Sequence, residues 1–225
     1  MNTTWGDNNM TFGDSIPKKN ETVIVTSDAN VVVGPVSNIP VVKIAVEKKP
    51  HTIIFDHKFI KLKSTGKFIY AERNGVDSVA FILIATNASD ERRIGVVNEF
   101  KPPIDSFFTT AFGGSIDKEK YKDNLVQLVI DEVIEEAGFT VSAEQVKGYG
   151  KVLVSTQMNQ RCFLFAVEVD KLSQGQRTTT DPMELQSSIV WLTIPDALKL
   201  EDWKTATIIS KRLAENNSYA VVKAT

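Results

Sequence analysis

Hydrophobic positions in the first hundred residues come in short β-branched runs, which Gly, Pro and Asn separate from one another. Runs of this kind are typical of strands joined by turns. We therefore predict strands in VIVTS, NVVVG, VVKIAVE, HTIIFD, FIKLKS, KFIYAE, SVAFILIAT and RIGVVNEF. The same pattern predicts turns at Gly66, at Asn74-Gly75 and at residues 87–90.

The pattern changes to a helical one between Asn124 and Ala137, where apolar residues recur three and four positions apart and form one stripe. Gly138 follows as the expected C-cap. Strands are predicted next in KGYGKVLVS, CFLFAVEV and SIVWLTI, and helices in IPDALKL and DWKTATIISKRLAENN. Strands and helices do not alternate regularly, so we predict an α+β fold with mixed sheets.

The 225 residues suffice for one large domain, or for one domain with a smaller attachment. Residues 1–20 are poor in apolar side chains and are predicted to form a flexible arm. A β-rich region is expected at 21–64, the main domain at 65–217, and a C-terminal tail at 218–225.

Composition excludes some functions and names none. The chain has 26 Lys and Arg against 28 Asp and Glu, so there is no basic excess for a nucleic acid or an anionic membrane. The single cysteine, Cys162, lies in an apolar run and is interpreted as a buried thiol. Without a signal peptide or membrane span in the sequence, we expect a cytoplasmic protein.

Three glutamates share one side of the predicted helix. Glu132 is three residues from Glu135 and four from Glu136, so the carboxylates are neighbours that repel one another. Glu135 and Glu136 also lie in the last turn, where the helix dipole disfavours anions. A divalent cation would remove both penalties, and Mg²⁺ is usual where phosphates share the coordination. The alternative is an ordinary solvated acidic face.

The residues before the helix favour a ligand site over a solvated face. Gly113 and Gly114 precede the helix by about ten residues. We interpret them as a glycine loop whose backbone can approach a ligand closely or offer a carbonyl to a metal.

The segment 131-DEVIEEAGF-139 resembles the second half of the Nudix box, G-x5-E-x7-R-E-U-x-E-E-x-G-U, in which U is aliphatic or aromatic. The first half differs. Asp131 replaces the box arginine, Asp123 stands where the first glutamate belongs, and Gly114 lies three residues too far upstream. The family's glutamate–arginine brace must then be made differently, for instance by Lys118, Lys120 or Lys122 reaching Asp131.

Weaker similarity over about residues 67–215 is nearest the ADP-ribose and UDP-sugar pyrophosphatase branch, in segments such as RIGVVNEFKPPI, MELQSSIVWLTIPDAL and DWKTATII. The resemblance implies a Nudix fold for 65–217 and Mg²⁺-dependent hydrolysis of a nucleoside diphosphate derivative, with Mn²⁺ as another usable metal. It also implies a homodimer that uses its N-terminal strands at the interface.

Carried over residue by residue, the resemblance gives roles to particular positions. It implies Glu132, Glu135, Glu136 and the Gly113 carbonyl as metal ligands, with Glu136 also essential for catalysis. Glu184 would be a candidate general base, although it is equally well a solvent-exposed loop glutamate. Lys101 and Gly114 would contact substrate, and the alternative for Lys101 is an ordinary surface lysine.

Two questions stay open from the sequence. The ADP-ribose subgroup usually has a proline about sixteen residues after the box, where this chain has Ser155-Thr156, so the substrate moiety is undecided. The altered first half of the box also allows a Nudix-fold protein that binds a nucleotide or a protein partner without hydrolysing anything.

Overall fold

The structure is a computed structural model that describes residues 50–73, 76–86 and 92–223. The predicted arm, the predicted strands before Pro50 and the predicted turns at 74–75 and 87–90 lie outside these residues. The domain limits stay predictions. Within the described residues, one compact unit begins at His51, and the last helix runs through position 217 without a break.

Ten strands in the described part of the chain form one mixed sheet. They are β1 (Thr52–Asp56), β2 (Lys61–Thr65), β3 (Phe68–Glu72), β4 (Ser78–Thr86), β5 (Arg92–Lys101), β6 (Ser106–Thr110), β7 (Phe112–Ser115), β8 (Val146–Ser155), β9 (Met158–Glu168) and β10 (Ser188–Leu192). The order is β1-β2-β3-β9-β4-β5-β10, with β6 on β5, β7 on β4 and β8 on β9. β9 runs parallel to β3 and β4, and the other pairs are antiparallel.

The predicted strands that lie within the described residues are confirmed, as is the turn at Gly66, which has a φ of 60°. The helices are α1 (Leu125–Glu132), α2 (Pro182–Leu185), α3 (Ile194–Ala197) and α4 (Trp203–Lys223). A π-helical turn at Val133–Ala137 continues α1, and short 3-10 turns lie at Pro102–Ile104, Glu119–Tyr121, Ala143–Gln145 and Lys171–Ser173. None of the described helices is long and apolar enough to cross a membrane.

Strand β4 is buried on both faces and separates two hydrophobic cores. Val79, Phe81 and Leu83 face the core that holds α1, and the alternate residues, including Ala80 and Ile82, face the core that holds α4. This explains why SVAFILIAT is a continuous apolar run without alternation. The structure has the predicted α+β architecture, with helices on both sides of a mixed sheet.

One edge of β4 is shared between two partners. Its first half pairs with β7, from Ser78 with Ser115 to Phe81 with Phe112, and its second half pairs with β5, from Leu83 with Gly95 onward. The far half of β5 leaves β4 and pairs with β6 instead. Strands β5 and β7 therefore pair with different halves of the same edge of β4.

The predicted glycine loop at Gly113-Gly114 was wrong, because both residues lie in strand β7. The prediction took the glycines as a sign of flexibility, whereas they serve close packing. A Cβ on Gly113 would lie 2.9 Å from the backbone oxygen of Val79 on the neighbouring strand. Glycine is required there by the approach of another backbone.

The buried side chain of Asp202 joins helix α4 to the sheet. Its Oδ2 accepts hydrogen bonds from the amide of Ala111 at 2.9 Å and from the amide and hydroxyl of Thr205 at 3.1 and 2.7 Å. Burial raises the pKa of this carboxyl, but the charge of Lys204 and these hydrogen bonds outweigh it, so the pKa lies below its ordinary value. One carboxylate thus caps the helix and fixes the β6–β7 connection.

We predict that Asp202→Ala lowers the free energy of unfolding by about 2–3 kcal/mol, because a helix cap and a buried charged hydrogen bond are both lost. A lowered pKa stabilises the fold above the unfolded value of about 3.9 and loses that effect as the pH falls through the folded value. The deficit of the variant, measured by urea unfolding, should therefore be full at pH 7 and shrink below about pH 4. Asp196→Ala, at an exposed aspartate, is the control and should cost much less; equal losses would contradict the assignment.

Candidate functional site

The glutamate-bearing helix consists of α1 and the π-helical turn that continues it, and it begins and ends where the sequence predicts. The Asn124 side chain caps the start by accepting from the Gln127 amide at 3.1 Å, and Gly138 ends the helix with a φ of 75°. Between them, the α-helix gives way to the π-helical turn Val133–Ala137. Such single π turns are rare and are frequently found at functional sites. This turn carries Glu135 and Glu136.

The three predicted glutamates do not share one environment. The Glu136 side chain is buried, with only 9% exposure, and Glu132 is half-buried. Glu135 is exposed. The three carboxylates are neighbours, as predicted, since the charge of Glu135 acts on Glu132 and that of Glu132 acts on Glu136. They do not share one exposed face, because Glu135 is exposed while Glu136 is buried.

Glu132 lies directly against strand β7. A Cβ built on Gly114 would overlap Oε1 and the carboxyl carbon of Glu132. Any side chain at position 114 would have to displace this carboxylate, so the glycine provides the space in which the carboxylate lies.

Burial and repulsion together favour the protonated forms of both inner glutamates. Burial raises the pKa of Glu132 to about 7, with further contributions from the charges of Glu135 and Glu184, while Lys118 opposes the change. Burial likewise raises the pKa of Glu136 to about 9, helped by Glu132 and by other carboxylates nearby. The two groups thus form a buried pair whose ionisation is costly unless a cation neutralises it.

Two more carboxylates approach this pair. Glu184 lies in α2, where the Thr179 hydroxyl donates to its Oε2, and its charge raises the pKa of both inner glutamates. Glu184 is half-buried and lies in a short helix, not in a loop. Whether it acts as a base stays a prediction.

Glu99 on β5 is a site residue that the sequence analysis missed, and its charge also raises the pKa of Glu136. The alternation of side chains along β5 could have indicated this residue. Residue 99 is two positions from Val97, which packs in the core that holds α1. The carboxylate therefore emerges on the side of the sheet that α1 covers.

The altered residue Asp131 is braced by local partners. Its Oδ2 accepts from the Tyr121 hydroxyl at 2.6 Å and from Lys120 at 3.4 Å, and its Oδ1 accepts from the Gln127 amide group at 2.8 Å. The expectation that a lysine of this segment reaches Asp131 is confirmed for Lys120. The sequence analysis missed Tyr121 and Gln127, whose shorter hydrogen bonds dominate.

The two β7 glycines line a cavity of about 340 Å³. None of the glutamates described above lines it, and its link to them is Gly114, which lies against Glu132. Both predicted substrate-contacting residues, Lys101 and Gly114, line it, as does Gly113. The basic side chains in its wall are Arg73, Lys101 and Lys204, and Lys101 also forms an ion pair of 2.6 Å with Glu99. No carboxylate of the described residues lines this cavity, so it is suited to an anionic group.

The donor set fits a hard divalent cation that a substrate helps to hold. Among the described residues, no three His, Cys, Asp or Glu side chains are already grouped closely enough to hold a metal alone. Mg²⁺ does not need such a cage, since it is usually bound by one or two carboxylates, waters and substrate phosphates. Glu132 and Glu136 supply this number. The roles of Glu135 and of the Gly113 carbonyl as ligands stay predictions.

Comparison with known proteins shows the fold. No protein-family model matches the sequence, and no curated protein matches it by sequence. Among solved structures, the chain is similar to one titled as the crystal structure of an ADP compounds hydrolase. The TM-score is 0.57 at 10% identity, over 76% of this chain and 93% of that one. The predicted α+β Nudix fold is confirmed. At this identity the similarity says nothing of activity, which must be argued from the site.

We predict that Glu136→Gln stabilises the metal-free protein at high pH. A carboxyl whose folded pKa lies near 9 and whose unfolded pKa lies near 4.3 makes the fold less stable as the pH rises between these values. Glutamine has no such ionisation. Urea unfolding in EDTA should show a gain of about 1–3 kcal/mol at pH 8 and almost none at pH 4.

Glu135→Gln is the matched control for this measurement, because its side chain is exposed on the same turn. It should produce a much smaller change at either pH. A Glu136→Gln variant less stable than the wild type at pH 8 would contradict the burial of an uncompensated carboxylate.

Proposed function

We propose that this protein is a Mg²⁺-dependent hydrolase that cleaves a nucleoside diphosphate linked to another moiety, such as ADP-ribose or a nucleotide sugar, into two phosphomonoesters. The observation that supports this most directly is the carboxylate pair, half-buried Glu132 and buried Glu136, with the pKa of both groups raised. Gly114, which lies against Glu132, also lines a cavity with basic walls. A fold that only binds nucleotides does not need two buried carboxylates without a neutralising partner, because each costs stability.

The residues divide the chemistry between them. Glu132 and Glu136 would hold the ion, with Glu135 and the Gly113 carbonyl as further ligands and Mn²⁺ as another usable metal. A bound divalent cation neutralises diphosphate charge and lowers the pKa of a coordinated water. Lys101 and Gly114, which both line the cavity, would contact the substrate there, and Gly114 also lies against the Glu132 carboxylate.

Hydrolysis would begin with attack of water at one phosphorus. The bond from that phosphorus to the bridging oxygen breaks, and the bridging oxygen leaves on the second phosphate. Glu184, or one of the inner glutamates, would accept the proton of the attacking water. The Thr179 hydroxyl fixes the orientation of the Glu184 carboxylate for this task.

A second candidate function is a Nudix-fold module that binds a nucleotide or a protein partner without hydrolysis. The changes at Asp123 and Asp131 favour it, because the family's brace is altered there. Metal-dependent turnover separates the two candidates.

We predict that the wild type releases phosphomonoesters from at least one of ADP-ribose, UDP-glucose and dinucleoside diphosphates, and only with Mg²⁺ or Mn²⁺ present. Glu136→Gln should lower turnover by about 100-fold or more, since loss of a direct ligand should exceed the 10–100-fold cost of losing an outer-shell partner. Measuring phosphomonoester products with each substrate tests this. No turnover on the whole panel, with nucleotide binding intact, would favour the binding module.

Glycine variants test the same site with little change in charge. Gly114→Ala should lower turnover, because its Cβ must displace the Glu132 carboxylate. Gly148→Ala is the matched control on strand β8, where a Cβ would meet only the Phe165 ring at an ordinary 3.5 Å. Equal activity in the two variants would argue against a role for Glu132.

A homodimer is part of this proposal. Strands β1–β3 carry large apolar side chains that are about half exposed, among them Ile54 at 54%, Phe55 at 52% and Ile69 at 55%. Neighbouring residues of β1 point to opposite faces, so this strand is apolar and exposed on both sides. An exposed patch of this kind marks an interaction site, and we assign it to a second copy of the chain.

We predict that sedimentation velocity shows a dimer and that Ile54→Lys shifts the chain to monomer, because a charge placed in an apolar interface is costly. Leu172→Lys is the control, since Leu172 is 94% exposed and lies outside the β1–β3 patch. A monomeric wild type would overturn the assignment.

A further inference from the structure

The segment Gln174–Thr179 closes the end of the glutamate-bearing turn. Its amides donate to carbonyls that the helix end leaves open: Gly175 to Gly138 at 2.7 Å, and Thr178 and Thr179 to Glu135 at 3.1 and 3.2 Å. The Gln174 side chain donates to the Ala137 carbonyl at 3.1 Å. The segment is therefore fixed to the turn that carries Glu136.

Arg177, in the middle of this segment, extends in the other direction toward α2. Its Nη1 donates to the Ser187 carbonyl at 2.8 Å, and its Nη2 donates to the Glu184 carbonyl and the Ser187 hydroxyl, both at 2.7 Å. The planar fork of a guanidinium matches such a group of acceptors, which the ammonium of a lysine does not. The two carbonyls lie in α2 and just after it, and α2 carries Glu184, the candidate general base.

The same guanidinium lies close enough to Glu136 for its charge to favour the ionised carboxylate. Arg177 is therefore the charged side chain that links the two halves of the candidate centre, with Glu136 on one side and the backbone of Glu184 on the other. Thr179, two residues along the segment, holds the Glu184 carboxylate through its hydroxyl.

We propose that Arg177 is a positioning residue for hydrolysis: its fork holds the α2 backbone so that the Glu184 carboxylate stays beside Glu132 and Glu136. This inference rests on the proposed function for the reaction it serves. Arg177 contacts the substrate at no point in this scheme. Its loss should therefore affect the rate of the chemical step and not the binding of substrate.

The test compares two arginines that make similar hydrogen bonds. Arg212 donates to the Glu168 carboxylate and the Tyr149 hydroxyl at the other end of β4, near Ile84. Both arginines have a buried Nε without a hydrogen-bond partner in the described part of the chain. Arg212→Lys thus removes a comparable set of guanidinium hydrogen bonds at a place away from Glu132, Glu136 and Glu184.

For Arg177→Lys we expect kcat to fall by about 10–100-fold, the usual cost of losing an outer-shell partner, with KM within about threefold of the wild type. Lysine keeps the charge but cannot form the fork, so it should not rescue activity. Arg177→Ala should regain part of its kcat in millimolar guanidinium chloride, far below denaturing concentrations. Arg212→Lys should keep the wild-type kcat even where it is less stable.

Full activity in Arg177→Lys, or an equal loss of kcat in Arg212→Lys, would overturn the proposal. If the wild type hydrolyses none of the substrates, the proposed function fails. The hold of Arg177 on the α2 backbone is then tested by amide hydrogen exchange instead. Arg177→Lys should then speed exchange of the Thr178, Thr179 and Leu185 amides by at least tenfold while strand β4 keeps its protection. Unchanged exchange at these three amides would show that Arg177 does not hold the α2 backbone in place.

Discussion

Two carboxylates whose ionisation is unfavourable lie at the end of helix α1: Glu132, half-buried against strand β7, and Glu136, buried in the π-helical turn that follows. An unpaired buried carboxylate costs several kcal/mol or is held protonated, so nothing in packing alone favours this arrangement. Two cationic side chains offset this cost in part: the charge of Lys118 favours the ionised form of Glu132, and that of Arg177 favours the ionised form of Glu136. The negative charge that remains would be neutralised by a bound divalent cation.

The sheet topology explains why this negative charge arises at one place. Because β4 changes partner along one edge from β7 to β5, the far half of β5 pairs with β6 instead. This half carries Glu99, whose charge acts on Glu136. Gly114 then leaves room between α1 and β7 for a side chain, and Glu132 fills it. The π-helical turn brings Glu136 inward, and Gly138 reverses the chain so that Gln174–Thr179 can cover the helix end. Each step is a matter of backbone geometry, and together they bring the charges of Glu132, Glu184 and Glu99 within range of Glu136.

The parts of this arrangement that local sequence patterns control were predictable. Strands β1–β5 and the limits Asn124 and Gly138 of the glutamate-bearing helix follow from apolar periodicity and from capping residues. The π turn was not predictable, since it depends on how the chain closes over the helix end and no local pattern marks it. Arg177 was missed for a similar reason: its partners are main-chain carbonyls, which carry no signature in the sequence. The two β7 glycines were recognised as important but assigned to the wrong cause, because close packing and flexibility require the same residue.

The altered first half of the box bears on the choice between enzyme and binding module. Asp131 is held by Gln127 one turn earlier, by Tyr121 and by Lys120, and all four residues belong to α1 or to the 3-10 turn just before it. This brace fixes the approach to the helix, whereas Glu132 turns toward Gly114 and the sheet. The departure from the family pattern and the carboxylate pair thus occupy different sides of α1. A change confined to the outer side replaces one means of fixing the helix by another, and it leaves intact the buried charge that the proposed hydrolysis requires.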